Sequence, residues 1–303
     1  MSKYSGIWPV APTPFHPNGE VDYEGMKRVL DCMIDQGVDG ICILANFSEQ
    51  FLITDAEREA LSRLSLEHVA GRVPVIVTIS HYATHIVLQR ARLSKELGAA
   101  MVMMMPPYHG ALLKGTPDQT FEQFAKVGEV GIPIMIQDAP LSGVELSVPL
   151  RVRMAREIEM VKLFKIECPQ AANKLRALIE QGGEAIEGPF DGEEAITLMA
   201  DLQAGASGSM TSAMIPDQIK PVIEHFLAGK PDQAASAYAR VLPAINFENR
   251  QCGFRATKVV MEEGGVIQSS FCRHPIPPLH PQTKAGLLEL LQPLNPVALS
   301  WGK

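Results

Sequence analysis

The chain of 303 residues contains no Cys-x-x-Cys pair. Its five cysteines (Cys32, Cys42, Cys168, Cys252 and Cys272) are scattered and odd in number. That excludes a disulfide framework and a zinc knuckle, and a reducing cytoplasm is the expected compartment. Runs rich in lysine and arginine are missing too, and the net charge is −7 with a pI near 5.7. No nucleic acid and no membrane surface is therefore expected as a partner. No apolar run approaches the roughly 20 residues that span a bilayer. The longest, near 99–107, suits a buried strand and its exit. Residues 1–6 lack the apolar stretch of a secretion signal. Neither a G-x-G-x-x-G turn nor a P-loop occurs, which removes the usual nucleotide readings.

What the sequence does have is alternation. Short runs, apolar almost throughout, fall at 7–11, 40–44, 73–79, 100–105, 132–137, 161–167, 185–190 and 206–211. Such runs fit parallel strands covered on both faces. Amphipathic stretches at 22–36, 55–70, 84–97 and 121–127 lie between them. Gly37, Gly98 and Gly205 stand where helices end before the next strand, supplying left-handed caps. Thr54 with Glu57 three residues on forms a capping-box pattern. Eight strand–helix units end near residue 228. They predict an α/β fold, a (β/α)8 TIM barrel holding the active site in residues 1–228. Residues 229–303 read as a C-terminal helical extension packed on the barrel, with helices at 231–244, 255–263 and 283–291. A doubly wound open sheet is the alternative.

In a barrel, chemistry sits where the strands end. Strand 2 delivers Asn46, Phe47 and Ser48, and strand 3 delivers Ser80. Strand 4 delivers Tyr108, strand 5 Gln137, strand 6 Lys165 and Glu167, and strand 8 Gly208. Lys165 lies in an apolar strand, where an unpaired ammonium is costly. Desolvation favours the free amine, the form that attacks a ketone. Strand side chains alternate, so Lys165 and Glu167 share one face with Val161 and Leu163. A Schiff-base lysine beside a general acid/base, and a structural ion pair, both fit this pattern. The carboxylate opposes desolvation by favouring the ammonium, a conflict that eases if it moves protons during imine formation.

Several of these residues recur together in one known family. They are Ala11-Pro12-Thr13-Pro14-Phe15, the loop 45–49 ending in Glu49, Pro107-Tyr108, Pro140, the Lys165 strand and Arg273-His274-Pro275-Ile276-Pro277-Pro278. In order and spacing the chain resembles the dihydrodipicolinate synthase / N-acetylneuraminate lyase family of class I aldolases over nearly its whole length. The resemblance implies a barrel with three added helices, a homotetramer of paired dimers, and a small 2-keto acid held as an imine on Lys165. It implies that the strand-2 loop, here Asn46, Phe47 and Ser48, holds the substrate carboxylate. It also aligns Tyr108 with a tyrosine that reaches a neighbouring subunit's site. No cofactor and no metal is called for.

The departures narrow the reaction. The loop reads Ala45-Asn46-Phe47-Ser48-Glu49 where the family usually has two hydroxyl residues between glycines. Gln137 takes the place of the family's strand-5 tyrosine and cannot relay protons as a phenol does. Glu167 stands where the family usually has a small residue or threonine. A carboxylate has thus appeared near the imine while the tyrosine has gone. Dehydration makes that demand, because a base must take the C3 proton of an iminium before the C4 hydroxyl leaves. The expected activity is a hydro-lyase acting on a 2-keto-3-deoxy sugar acid. An aldolase releasing pyruvate and a non-catalytic sensor barrel are the alternatives. His81 and His85, four apart, read as solvated or capping residues, and the methionines at 101 and 103–105 as a buried strand. Asp191, Glu193 and Glu194 read as a helix start.

Overall fold

The computed structural model describes residues 4–109, 113–139 and 146–303, with the backbone alone at 108–109 and 113–114. Eight strand–helix repeats follow one another, as the alternation predicts. They are β1 (Gly6–Ile7), α1 (Tyr23–Asp35), β2 (Ile41–Ile43), α2 (Asp55–Val69), β3 (Val75–Thr78), α3 (Thr84–Glu96), β4 (Met101–Met104) and α4 (Pro117–Gly128). Then come β5 (Ile134–Asp138), α5 (Val148–Glu157), β6 (Val161–Ile166), α6 (Ala171–Gly182), β7 (Pro189–Asp191), α7 (Leu198–Gln203), β8 (Gly208–Ser209) and α8 (Pro216–Leu227). Helices α9 (Pro231–Phe247), α10 (Arg255–Glu263) and α11 (Pro281–Leu291) complete the chain. The fold class is (β/α)8 with C-terminal helices. No helix of the described residues is long and apolar enough to cross a membrane.

Local chemistry explains most boundaries. Thr54 caps α2 through the Glu57 amide, and Glu57 answers in a full capping box. Thr116 does the same with Gln119 for α4, and Pro117 at the first turn costs no hydrogen bond. This helix therefore begins earlier than its apolar periodicity implies. Gly37, Gly98 and Gly205 all adopt positive φ after their helices. Two strands are shorter than expected. Pro9 has no N–H to give, so β1 stops at Ile7 and pairing resumes as a bridge at Val10. Residues 183–185 form a 3₁₀ turn, and Gly188 has φ 63°, so β7 starts only at Pro189.

The chain divides into two compact units. The first is built on residues 76–193 and 197–210 and runs β3 to β8 side by side in chain order, all parallel. Its strands are buried apart from Lys162; Met101, Met103 and Met104 are core side chains. Gln137 registers with Lys165, Lys165 with Phe190, and Phe190 with Gly208. In-register parallel partners project to the same face, so these four form one row. The opposite face meets the helices. There Asp138 binds Arg151 Nη2 of α5 at 2.8 Å and Lys174 Nζ of α6 at 2.9 Å, with Arg151 fully buried. A buried pair of this kind is strongly destabilising to break one-sidedly, because it leaves a bare charge.

The second unit is built on residues 6–75, 194–196 and 211–303. Val10 bridges both Cys42 and Ser212, and the Ala11 amide donates to the Cys42 carbonyl at 2.8 Å. Helix α8 packs along α9. The α9 helix passes through a π-helical turn, Glu248–Cys252, before α10. All five cysteines are free and buried. Burial pushes the Cys32 thiol up to about 12 and those of Cys252 and Cys272 to about 11, which leaves them poor nucleophiles.

Asp191 and Asp201 correct the helix-start reading. Asp191 is the last residue of β7, and α7 begins seven residues later at Leu198 (198 − 191). Register places Asp191 beside Ile166, on the helix-facing side of the sheet. Its carboxyl hydrogen-bonds that of Asp201 on α7 and accepts from Ser209 Oγ, while Thr197 Oγ1 donates to Asp201 at 2.7 Å. Both acids are fully buried. Desolvation first, and the neighbouring carboxylate second, raise Asp191; desolvation raises Asp201 as well. The folded pair therefore holds a proton that the unfolded chain has released at the same pH. Stability is fully present below the ordinary carboxylate range and falls as pH rises through the raised value. Wild-type stability to urea is expected to decline between about pH 4 and about pH 7, and Asp201→Asn, which supplies a permanent donor, to flatten that decline. Parallel profiles for the two proteins would reject the shared proton.

Candidate active site

Lys165 sits at the end of β6, 3% exposed, between register partners Gln137 and Phe190. Its Nζ lies 3.1 Å from Glu167 Oε2. Gln137 Nε2 donates to the same oxygen at 2.9 Å. The alternation read from the sequence thus brings three polar side chains together on one face of an apolar sheet. Glu167 is the least buried of the three, its side chain 15% exposed against 4% for Lys165. Its amide donates to the Asp138 carbonyl at 2.9 Å, which continues the sheet one step past β6. Asp138 is in turn held by Arg151 and Lys174, so the strand ends carrying Gln137 and Glu167 are tied to α5 and α6.

Gly192 shapes the same corner. Its amide donates to the Ile166 carbonyl at 3.0 Å. A Cβ built there would lie 2.7 Å from Lys165 Cγ and 2.8 Å from the Ile166 carbonyl oxygen. The glycine is needed because the backbone passes directly over the lysine stem. Just beyond, Glu194 and Ala195 take positive φ, 50° and 68°. The Tyr238 hydroxyl meets the carbonyls of Ala195 and Ile196 at 3.1 and 2.7 Å and holds that turn.

The strand-2 loop is the second cluster. Residues Asn46–Ser48 form a 3₁₀ turn flanked by Leu44 (φ 59°) and Glu49 (φ 58°), both non-glycine residues in the left-handed region. Such conformations persist only where surroundings enforce them. The Ser48 amide donates to the Ala45 carbonyl at 2.9 Å, and its hydroxyl donates to the Ala11 carbonyl at 2.6 Å. Thr13 Oγ1 donates to the Ser48 carbonyl at 2.8 Å. Ser48 is thus a girder of the loop. Asn46 Oδ1 accepts from Gln50 Nε2 at 2.6 Å, and Phe47 packs edge-on against Phe254 with centroids 6.3 Å apart. Phe47 is in this respect a packing aromatic.

Two cations lock the loop from the far end of the chain. Lys258 on α10 pairs with Glu49, both almost fully buried, and also donates to the Phe271 carbonyl at 2.9 Å. Arg273 forks onto Glu57, donates to the Leu52 carbonyl at 2.7 Å and the Gly19 carbonyl at 2.8 Å, and lies over the Phe15 ring at 4.4 Å. The guanidinium pulls the Glu57 carboxyl down to about 2. Sequence reading placed Arg273 in a resembling segment without a role, and it missed Lys258.

The remaining candidates take these places. The Ser80 hydroxyl accepts from the Met105 amide at 3.0 Å, and its carbonyl accepts from Arg90 at 2.7 Å. Gly208 ends the row that includes Lys165. The backbone of Tyr108 pairs with Lys114; its side chain, and Pro140, lie outside the described residues. His81 Nδ1 accepts from the Ala83 amide at 3.0 Å, a capping role at the start of α3. Among the described residues no group of three or more His, Cys, Asp or Glu is placed to hold a metal.

Comparison with known proteins places this geometry in context. A model of the dihydrodipicolinate synthetase family matches residues 3–294. The chain is 57% identical to L-2-keto-3-deoxyarabonate dehydratase of Azospirillum brasilense over 300 residues, covering 99% of this chain and 97% of that one. It is 27% identical to 4-hydroxy-tetrahydrodipicolinate synthase of Aquifex aeolicus, covering 93% and 95%. A solved structure from Pseudomonas aeruginosa, ascribed to a dihydrodipicolinate synthetase, superposes with a TM-score of 0.90 at 28% identity, covering 96% and 100%.

Gly192→Ala tests the packing around the lysine. Overpacking against backbone is expected to cost about 1–3 kcal/mol in urea unfolding. Unchanged stability would show that the lysine stem is not fixed by this contact.

Proposed function

This chain belongs to the dihydrodipicolinate synthetase family, and from that premise we propose that it is a Schiff-base-forming dehydratase of a 2-keto-3-deoxy sugar acid. The proposed reaction converts L-2-keto-3-deoxyarabonate to 2-oxoglutarate semialdehyde and water. The observation that carries it is the end-to-end identity of 57% with a dehydratase of that name. The Lys165–Glu167–Gln137 cluster supports it chemically.

Lys165 Nζ adds to the C2 ketone, and loss of water gives the iminium. Glu167, 3.1 Å from Nζ, takes a C3 proton and leaves an enamine. The enamine electrons expel the C4 hydroxyl, which departs as water with the proton Glu167 holds. Loss of a C5 proton and protonation at C3 give a C4–C5 enol, hydrolysis consumes the water released in forming the imine, and the enol tautomerises to the aldehyde. Gln137 neither gives nor takes a proton; its Nε2 fixes the Glu167 oxygen that does the work. Asn46, Phe47 and Ser48 are assigned to the substrate carboxylate, the loop's internal bonds serving to hold it in shape. Ser80, Gly208 and Tyr108 are assigned to the walls. Residues 1–228 carry the site and 229–303 the extension, in a cytoplasmic homotetramer.

Incubation of the pure enzyme with 2-keto-3-deoxy-L-arabonate is the deciding assay. The semialdehyde is the expected product; pyruvate plus glycolaldehyde would establish an aldolase instead. Pyruvate with borohydride is expected to add mass at Lys165, and no adduct would favour an idle barrel. Glu167→Gln is expected to keep that adduct and lose at least about 100-fold in turnover. Full activity in this variant would refute the carboxylate's role.

A further inference from the structure

The Gln137 side chain is 0% exposed, and only half of it is used. Its Nε2 donates to Glu167 Oε2 at 2.9 Å, and the same oxygen receives Lys165 Nζ at 3.1 Å. A carboxylate oxygen only accepts, so chemistry dictates which end of the amide faces it. The other end, Oε1, is then a pure acceptor. It is buried without a hydrogen-bond partner among the described residues. Buried acceptors are rarely left in that condition, and one beside a reactive amine calls for a donor that arrives with the ligand. Gln137 shares register and face with Lys165, so this acceptor stands next to the amine that bonds the substrate's C2.

The geometry points to Gln137 as a specificity-determining residue whose Oε1 accepts a hydrogen bond from the hydroxyl that the substrate retains, on the carbon beyond the leaving group. This rests on the dehydratase reading. A 2-keto-3-deoxy pentonate offers two hydroxyls. The C4 hydroxyl must receive a proton to leave, and an amide oxygen has none to give. Holding that hydroxyl by an acceptor would add electron density to a departing group and retard it. The C5 hydroxyl stays, and it grows more acidic as C4–C5 becomes an enol. A hydrogen bond to Oε1 therefore strengthens along the reaction, which is the kind of contact that raises turnover. The site thus selects for a hydroxyl that takes no part in the bond broken.

The test compares 2-keto-3-deoxy-L-arabonate with 4-hydroxy-2-oxopentanoate, which keeps the leaving hydroxyl and lacks the terminal one. Loss of water from the second gives 2-oxo-3-pentenoate. The wild type is expected to favour the two-hydroxyl acid by at least about 100-fold in kcat/KM. Gln137→Met keeps the length and removes both amide atoms. It is expected to be slower on both acids and to reduce the preference to under about 5-fold. Equal wild-type rates on the two acids overturn the inference, and so does an unchanged preference in Gln137→Met. Should that variant not fold, Gln137→Asn, whose amide is drawn back by one methylene, is read the same way, and the wild-type comparison stands alone. Borohydride trapping with pyruvate, which has neither hydroxyl, separates the premise. An adduct without substrate preference sinks the Gln137 assignment only; no adduct and no turnover sinks the dehydratase reading and this inference with it.

Discussion

One carboxylate oxygen receives both the Lys165 amine and the Gln137 amide, and the local arrangement follows from that sharing. Lys165 is tolerable in an apolar strand because Glu167 stands two residues on, over the same face. Glu167 keeps its direction because Gln137 grips it from the next strand. Gln137 is aligned by register, and register is held from behind by Asp138 with Arg151 and Lys174. The two faces of β5 thus divide the labour. Gln137 on one face holds the Glu167 carboxylate, and Asp138 on the other anchors the strand to its helices.

The row Gln137, Lys165, Phe190 and Gly208 was legible in the sequence in part. Period-two alternation gives the parity of each strand, which settles that Lys165 and Glu167 lie together. Adjacency of Gln137 to Lys165 came through resemblance, because register between strands leaves no mark on local composition. Local composition also misled. Asp191 follows the apolar Phe190 and precedes Gly192, Glu193 and Glu194, which reads as an acidic helix start. The strand in fact runs on to Asp191 and turns it outward to Asp201.

Long-range partners were the least legible. Glu49 and Glu57 look like ordinary loop and capping acids, and nothing near them foretells Lys258 or Arg273. Nothing in the sequence around Arg151 marks it as a core residue, yet it is buried against Asp138. The strand extents erred where proline and glycine decide them, at Pro9 and at Gly183 and Gly188, because apolar runs mark burial and not hydrogen bonding.

The clamp on the strand-2 loop has a consequence for synthesis. Arg273 lies 216 residues beyond Glu57 and 224 beyond Glu49. A nascent chain that has already emerged through the loop, α2 and all eight strands still has no cation for either acid. Two left-handed, non-glycine residues must wait in that loop without the contacts that hold them. The loop reaches its final set of contacts only after Lys258 and Arg273 have been made, long after the loop itself has left the ribosome.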